Sequence, residues 1–220
     1  MIRKQDKVYW FLMITGFIFF VLSSLGIFNG VSADISKFLY NTLGYTNRWS
    51  KSFGEPWFVH MNSNISAFGS KELTLIFTAI FSSYLFAVNR KKDSYRFLIS
   101  IIGGIIVLTI LKLSTSTNET FELSQIYKET ISNFPSGHAF IATILYLTII
   151  SLLLKKDQPL KLKIHYIISA AVIIFIVGIS RVTGSGHTIT EVIAGWASGL
   201  IWFSMCSLFF ESRMWNKTNR

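Results

Sequence analysis

Six apolar runs spaced along a chain of 220 residues decide most of what this sequence can become. They extend from Val8 to Phe28, Leu73 to Val88, Phe97 to Leu111, Ala139 to Leu154, Ile164 to Ile179 and Val192 to Phe210. A composition that is 51% hydrophobic, with a mean hydropathy of +0.48, is too apolar for a soluble domain of this length. The backbone of such runs can satisfy its own hydrogen bonds in lipid only as helices or a closed barrel, and unbroken runs select helices. The expectation is therefore an all-α integral membrane protein. It is a bundle of six transmembrane helices forming one domain over residues 1–220, with both termini on one side. Several runs fall short of the roughly 20 residues that a bilayer requires. Polar ends such as Lys112, His138 and Arg181 must then be held inside the bundle rather than against lipid.

Basic residues orient the bundle. With the amino terminus inside, the inner segments hold Arg3, Lys4, Lys7, Arg90, Lys91, Lys92, Arg96, Lys155, Lys156, Lys161, Lys163, Arg213, Lys217 and Arg220. The outer segments hold Lys37, Arg48, Lys51, Lys71, Lys112, Lys128 and Arg181, so 14 of the 21 basic residues lie inside. The net charge of +10 is thus a topology signal with some affinity for anionic headgroups, and no basic patch outside these segments suggests a nucleic-acid partner. Val31-Ser32-Ala33 resembles a signal cleavage site, but the apolar run before it is longer than a signal core, and it is read as the first span. Cys206, the single cysteine, excludes an intramolecular disulfide.

The longest outer segment runs from Gly30 to Lys71. Val31, Ile35, Phe38, Leu39 and Leu43 follow helical spacing opposite Asp34, Lys37 and Asn41, which suits a helix at the membrane surface or packed under the loop. Trp57, Phe58, His60 and Met61 suit the interfacial depth, where they would border a lipid entrance. Asn64-Ile65-Ser66 and Asn118-Glu119-Thr120 fit the glycosylation pattern, for which chance is the better explanation.

Two polar stretches open directly into apolar runs at the same expected face. In Ser180 to Gly199, Arg181 offers a planar fork of donors to phosphate oxygens, and Thr183-Gly184-Ser185-Gly186 is loose enough to expose backbone N–H groups. A helix opening at His187 would put Glu191 four residues on and on the same face. The carboxylate would then accept the proton of one ring nitrogen and leave the other lone pair free to attack phosphorus. In Asn133 to His138, Pro135 stops any preceding helix, Ser136 is suited to an N-cap, and Gly137 lets backbone approach an anion at the helix start. His138 then lies in the first turn, beside the same anion.

Together these residues resemble the superfamily of type 2 phosphatidic acid phosphatases (PAP2) and vanadium haloperoxidases, with its motifs Lys-x6-Arg-Pro, Pro-Ser-Gly-His and Ser-Arg-x5-His-x3-Asp. Pro135-Ser136-Gly137-His138 matches the second. Ser180, Arg181 and His187 match the third, with Glu191 in place of Asp. The first is degraded: Lys112 stands where its Lys belongs, but Glu119-Thr120 replaces Arg-Pro. The resemblance covers Lys112 to Gly199 and implies that His187 is a nucleophile forming a phosphohistidine. It implies equally that His138 protonates the leaving oxygen and then activates water. Lys112, Ser136, the Gly137 N–H and Arg181 would hold the equatorial oxygens, Glu191 would orient His187, and no metal or other cofactor is called for. Lys128 is the candidate to bind phosphate in place of the missing Arg.

The implied substrate is a lipid phosphate or diphosphate at the outer boundary of a bacterial inner (plasma) membrane. It could be phosphatidic acid, phosphatidylglycerol phosphate, a polyprenyl diphosphate such as undecaprenyl diphosphate, or a lipid A-type phosphate. The loosened first motif and small size lean toward the last. No obligate protein partner is evident. Other readings stay open: a lipid-to-lipid phosphotransferase using the same site, a binding or transport protein that lost the chemistry, and a metal hydrolase with His138, His187 and Glu191 as ligands.

Overall fold

A computed structural model describes residues 4–44, 53–115, 134–154, 157–184 and 186–218, with side chains described between 6 and 211. Its described residues form eight α-helices: α1 Lys4–Ser24, α2 Asn29–Leu43, α3 Pro56–Ser66, α4 Lys71–Ala87, α5 Lys91–Thr115, α6 Gly137–Leu153, α7 Leu160–Thr183 and α8 Ile189–Thr218. A 3-10 turn, Ala67–Gly69, joins α3 to α4. The protein is all-helical, and each apolar run of the sequence falls on its own helix.

Among the described residues, four stretches are long and apolar enough to cross a membrane: Asp6–Ser24, Lys91–Thr115, Leu160–Thr183 and Ile189–Glu211. Two helices on the remaining runs, α4 and α6, are 17 residues each. The spans expected at Phe97 to Leu111 and Ile164 to Ile179 are longer in the structure, 25 and 24 residues, because the helices start earlier, at Lys91 and Leu160, and run on through Lys112 and Arg181. The first helix lies four residues earlier than the expected run, at the same length of 21 residues. It stops at Ser24, and a turn follows in which Gly26 takes φ +72°, a conformation available to glycine at little cost.

Helix α6 is the middle of the bundle. Ala139, Phe140, Ile141, Ala142, Thr143, Ile144 and Leu145 are all buried in succession, which no amphipathic helix would allow. The core around it joins Leu85 of α4 and Phe97, Ile101 and Leu108 of α5 to Phe140, Ile144 and Leu152. On the other side α8 approaches closely because Gly195 and Gly199 face α6. A Cβ at Gly195 would stand 2.5 Å from the Ser136 carbonyl oxygen, and one at Gly199 would stand 2.8 Å from the Thr143 Cβ. The outer surfaces of α1, α4, α5 and α7 expose Phe11, Phe17, Ile80, Ile106, Ile110, Ile168 and Phe175, as lipid contact requires.

The surface helix expected after Gly30 is α2. Val31 and Phe38 are exposed, whereas Leu39 packs toward Ala139, Val182 and Val192. Its polar side is tied to the start of α8: the Ile189 N–H donates to Ser32 Oγ at 3.2 Å and Thr190 Oγ1 to Asn29 Oδ1 at 3.1 Å. Trp57, Phe58, His60 and Met61 all lie on α3. At the opposite end of the bundle the buried Arg96 guanidinium donates to Ser151 Oγ and Ser207 Oγ at 3.3 and 3.2 Å.

Candidate functional site

Alternation of chain direction brings five helix ends to one end of the bundle: the starts of α4, α6 and α8 and the last turns of α5 and α7. A cavity of about 290 Å³ opens between them. Its wall comprises Gly69, Lys71, Glu72, Lys112, Gly137, His138, Ile141, Arg181 and His187. The first residues of two helices, α4 and α6, belong to this wall, and the positive ends of their dipoles favour an anion there.

The start of α8 differs from the sequence expectation. His187 does not open the helix; Ile189 does, and Thr188 is its N-cap. Thr188 Oγ1 accepts from the Glu191 N–H at 3.3 Å, while Glu191 Oε2 accepts from the Thr188 N–H at 3.1 Å. This reciprocal capping box holds the carboxylate back over the residue before the cap. There Oε2 also receives His187 Nδ1 at 2.8 Å. An ionised carboxylate only accepts, so Nδ1 carries the proton and Nε2 keeps its lone pair on a ring that borders the cavity. The two side chains are 6% and 5% exposed. Burial pushes the His187 imidazole below its ordinary value. The Glu191 hydrogen bond and charge oppose that shift, and the Arg181 and Lys112 charges add to it.

The loop before it is folded around Arg181. The N–H groups of Gly186 and His187 both donate to the Arg181 carbonyl at 3.0 Å, and any side chain at position 186 would collide with the guanidinium. Arg181 Nη1 reaches Ser66 Oγ at 3.4 Å, and its buried Nε has no partner among the described residues. A guanidinium so placed has donors to spare for an anion.

Ser136 occupies the N-cap position of α6 as expected, but its side chain makes no cap hydrogen bond. The hydroxyl is fully buried and has no partner among the described residues. The Ser136 N–H instead donates to the Glu191 carbonyl at 2.9 Å, which locks the start of α6 to the start of α8. His138 is thereby brought to the same cavity as His187. Ser136 and Glu191 stand behind the wall rather than in it. Of the expected site residues, the structure gathers His138, His187, Gly137, Arg181 and Lys112 around the cavity; Lys128 lies outside the described residues.

Residues 96–215 match the PAP2 superfamily model. The chain belongs to the PAP2 superfamily. Phosphatidylglycerophosphatase B of Bacillus subtilis (strain 168) is 28% identical over 169 residues, 71% of this chain and 77% of the relative. The crystal structure of the first transmembrane PAP2 type phosphatidylglycerolphosphate phosphatase from Bacillus subtilis shares the fold. It superposes with a TM-score of 0.69 at 24% identity, over 90% of this chain and 96% of that one. With its long apolar helices, this PAP2 chain is an integral membrane protein.

Sequence reasoning missed two wall residues, Lys71 and Glu72, and the turn at Gly69 that sets them there. They precede an apolar run as the other site residues do, but no motif flagged them. It also missed the capping box, although Thr188-Ile189-Thr190-Glu191 carries its signature before an apolar run.

Proposed function

We propose that the chain, read as one PAP2 domain over residues 1–220 with six spans, hydrolyses a lipid phosphate or diphosphate at the extracytoplasmic face of the membrane. The observation that carries this reading is the shared cavity. Two imidazoles, a guanidinium and two ammonium groups border it, and one imidazole has its Nδ1 fixed by a buried carboxylate. The 14 basic residues on the inner segments support the outward face.

In the proposed reaction His187 Nε2 attacks phosphorus in line, and the bond from phosphorus to the lipid oxygen breaks as His138 donates its proton to that oxygen. Glu191 supports the imidazolium that His187 becomes. Water, losing a proton to His138, then attacks the phosphohistidine, and phosphate leaves with His187 restored. Lys112, Arg181 and the Gly137 N–H meet the charge that builds on the equatorial oxygens, where most of the catalysis of phosphoryl transfer resides, while Ser136, expected among these contacts, stands behind the wall and holds the start of α6 to that of α8.

The name of the curated relative supports phosphatidylglycerol phosphate as the first substrate to assay. The missing Arg-Pro is the support for a lipid A-type phosphate, and phosphatidic acid and undecaprenyl diphosphate complete the panel. Purified protein in detergent with EDTA is expected to release phosphate from at least one of the four. His187→Ala is expected to abolish both release and an acid-labile phosphoenzyme. Wild-type turnover by His187→Ala would refute the assignment. No hydrolysis of any member of the panel would favour transfer to a second lipid, which added acceptor lipid would reveal, or a binding protein.

A further inference from the structure

We propose that Lys71, at the start of α4, binds the substrate phosphate in place of the arginine missing from the first motif. It does so from a different helix and from the other side of the cavity. This rests on the phosphatase reading above. The cavity wall holds three fixed cations, Lys71, Lys112 and Arg181, of which the motifs account for two.

The position of Lys71 is built, not incidental. The turn before it is clamped against the helix that carries His138. A Cβ at Gly69 would stand 2.6 Å from the His138 carbonyl oxygen and 2.9 Å from Val177 Cγ1, so only glycine lets the turn come this close. The Tyr146 hydroxyl donates to the Phe68 carbonyl at 3.1 Å, a second tie to α6. On the far side Thr183 Oγ1 donates to Asn62 Oδ1 at 2.7 Å and Arg181 Nη1 to Ser66 Oγ, which hold α3 and the turn to the end of α7. Ser70 then caps α4 by accepting from the Leu73 N–H at 3.2 Å. The chain therefore turns into α4 at a place set by His138 on one side and Arg181 on the other, and the next residue is Lys71.

Charge makes the same point. Lys71 is the first residue of α4, where the helix dipole opposes a cation. It is exposed and pairs with no carboxylate among the described residues. Lys71 and Glu72 line the same cavity as Lys112 and His138. A cation at a helix start, beside two others, costs stability unless an anion joins them. A phosphate held between Lys71, Lys112 and Arg181 meets a positive group on three sides, which suits the three equatorial oxygens of the transition state.

The test uses the full-length enzyme in detergent micelles with inorganic phosphate as the probe. Lys71→Ala is expected to weaken product inhibition by inorganic phosphate about tenfold and to lower kcat/KM by about ten- to a hundredfold. Lys71→Arg is expected to restore most of both, and Lys92→Ala, equally exposed at the opposite end of the bundle, to change neither. Wild-type phosphate inhibition and turnover in Lys71→Ala would overturn the proposal while leaving the phosphatase reading intact. Equal loss in Lys71→Ala and Lys71→Arg would overturn it too, because a mere structural role has no reason to be rescued by charge. If the wild type hydrolyses none of the lipid panel, the phosphatase reading fails. Binding of inorganic phosphate, measured by calorimetry on wild type and Lys71→Ala, then decides the role of Lys71 by itself.

Discussion

In the proposed reaction the imidazole of His187 carries the chemistry, and its environment makes a pH signature. Only the neutral ring can attack, and burial holds its titration below the ordinary imidazole value of about 6.5 despite the Glu191 carboxylate. The acid limb of kcat/KM is therefore expected below that pH, with activity lost as pH falls through it and flat above it on this limb. Removing the carboxylate in Glu191→Gln takes away the one influence that raises the value, so the limb should move to lower pH while kcat drops by about a hundredfold. A limb that stays in place in Glu191→Gln would belong to another group. At this scale the sequence was a good guide to identity and a poor guide to position. Arg181, His138 and His187 could be named from their motifs, whereas the orphaned Ser136 hydroxyl and the role of Thr188 could not. A side chain capable of capping does not say whether it will cap, and the bond from the Ser136 N–H to the Glu191 carbonyl, which fixes the start of α6, arises only in three dimensions.

Helix ends and helix faces carry the next level. Thr188 closes the capping box that aims Glu191, so Thr188→Ala is expected to cost about 1 kcal/mol of stability. Its effect on turnover should exceed its effect on the thermal midpoint, because the carboxylate loses its fixed position. Equal and small effects on both would mean that the His187 bond alone holds Glu191. The glycine stripe of α8 gives a second check. Gly195→Ala must displace the Ser136 carbonyl and with it the start of α6. It is expected to cost about 1–3 kcal/mol, seen as a lower midpoint in detergent, and to lower kcat as His138 shifts. Gly30→Ala, which would meet nothing within 4 Å, serves as the silent control. The number and place of the apolar helices were legible from run length because lipid admits few other solutions. Their ends were less so: α1 stopped early at a glycine turn, and α5 and α7 ran on through Lys112 and Arg181. Hydropathy reads those lysine and arginine side chains as breaks, although the helical backbone has no reason to end there.

For the whole molecule, orientation is the claim most exposed to test. A reporter fused after Lys92 should read cytoplasmic and one near Asn64 should read external, and the reverse pattern would turn the cavity to the other side of the membrane. The short polar connection between α6 and α7 has a different implication. What aligns His138 with His187 is the bond between the Ser136 N–H and the Glu191 carbonyl, together with the packing of α6 on α8, rather than the peptide that joins the two segments. The chain is therefore a candidate for a split enzyme. Fragments 1–157 and 158–220, each inert alone, should find one another in the bilayer and regain phosphate release when coexpressed. Complementation would then become a selectable readout of helix association in a membrane.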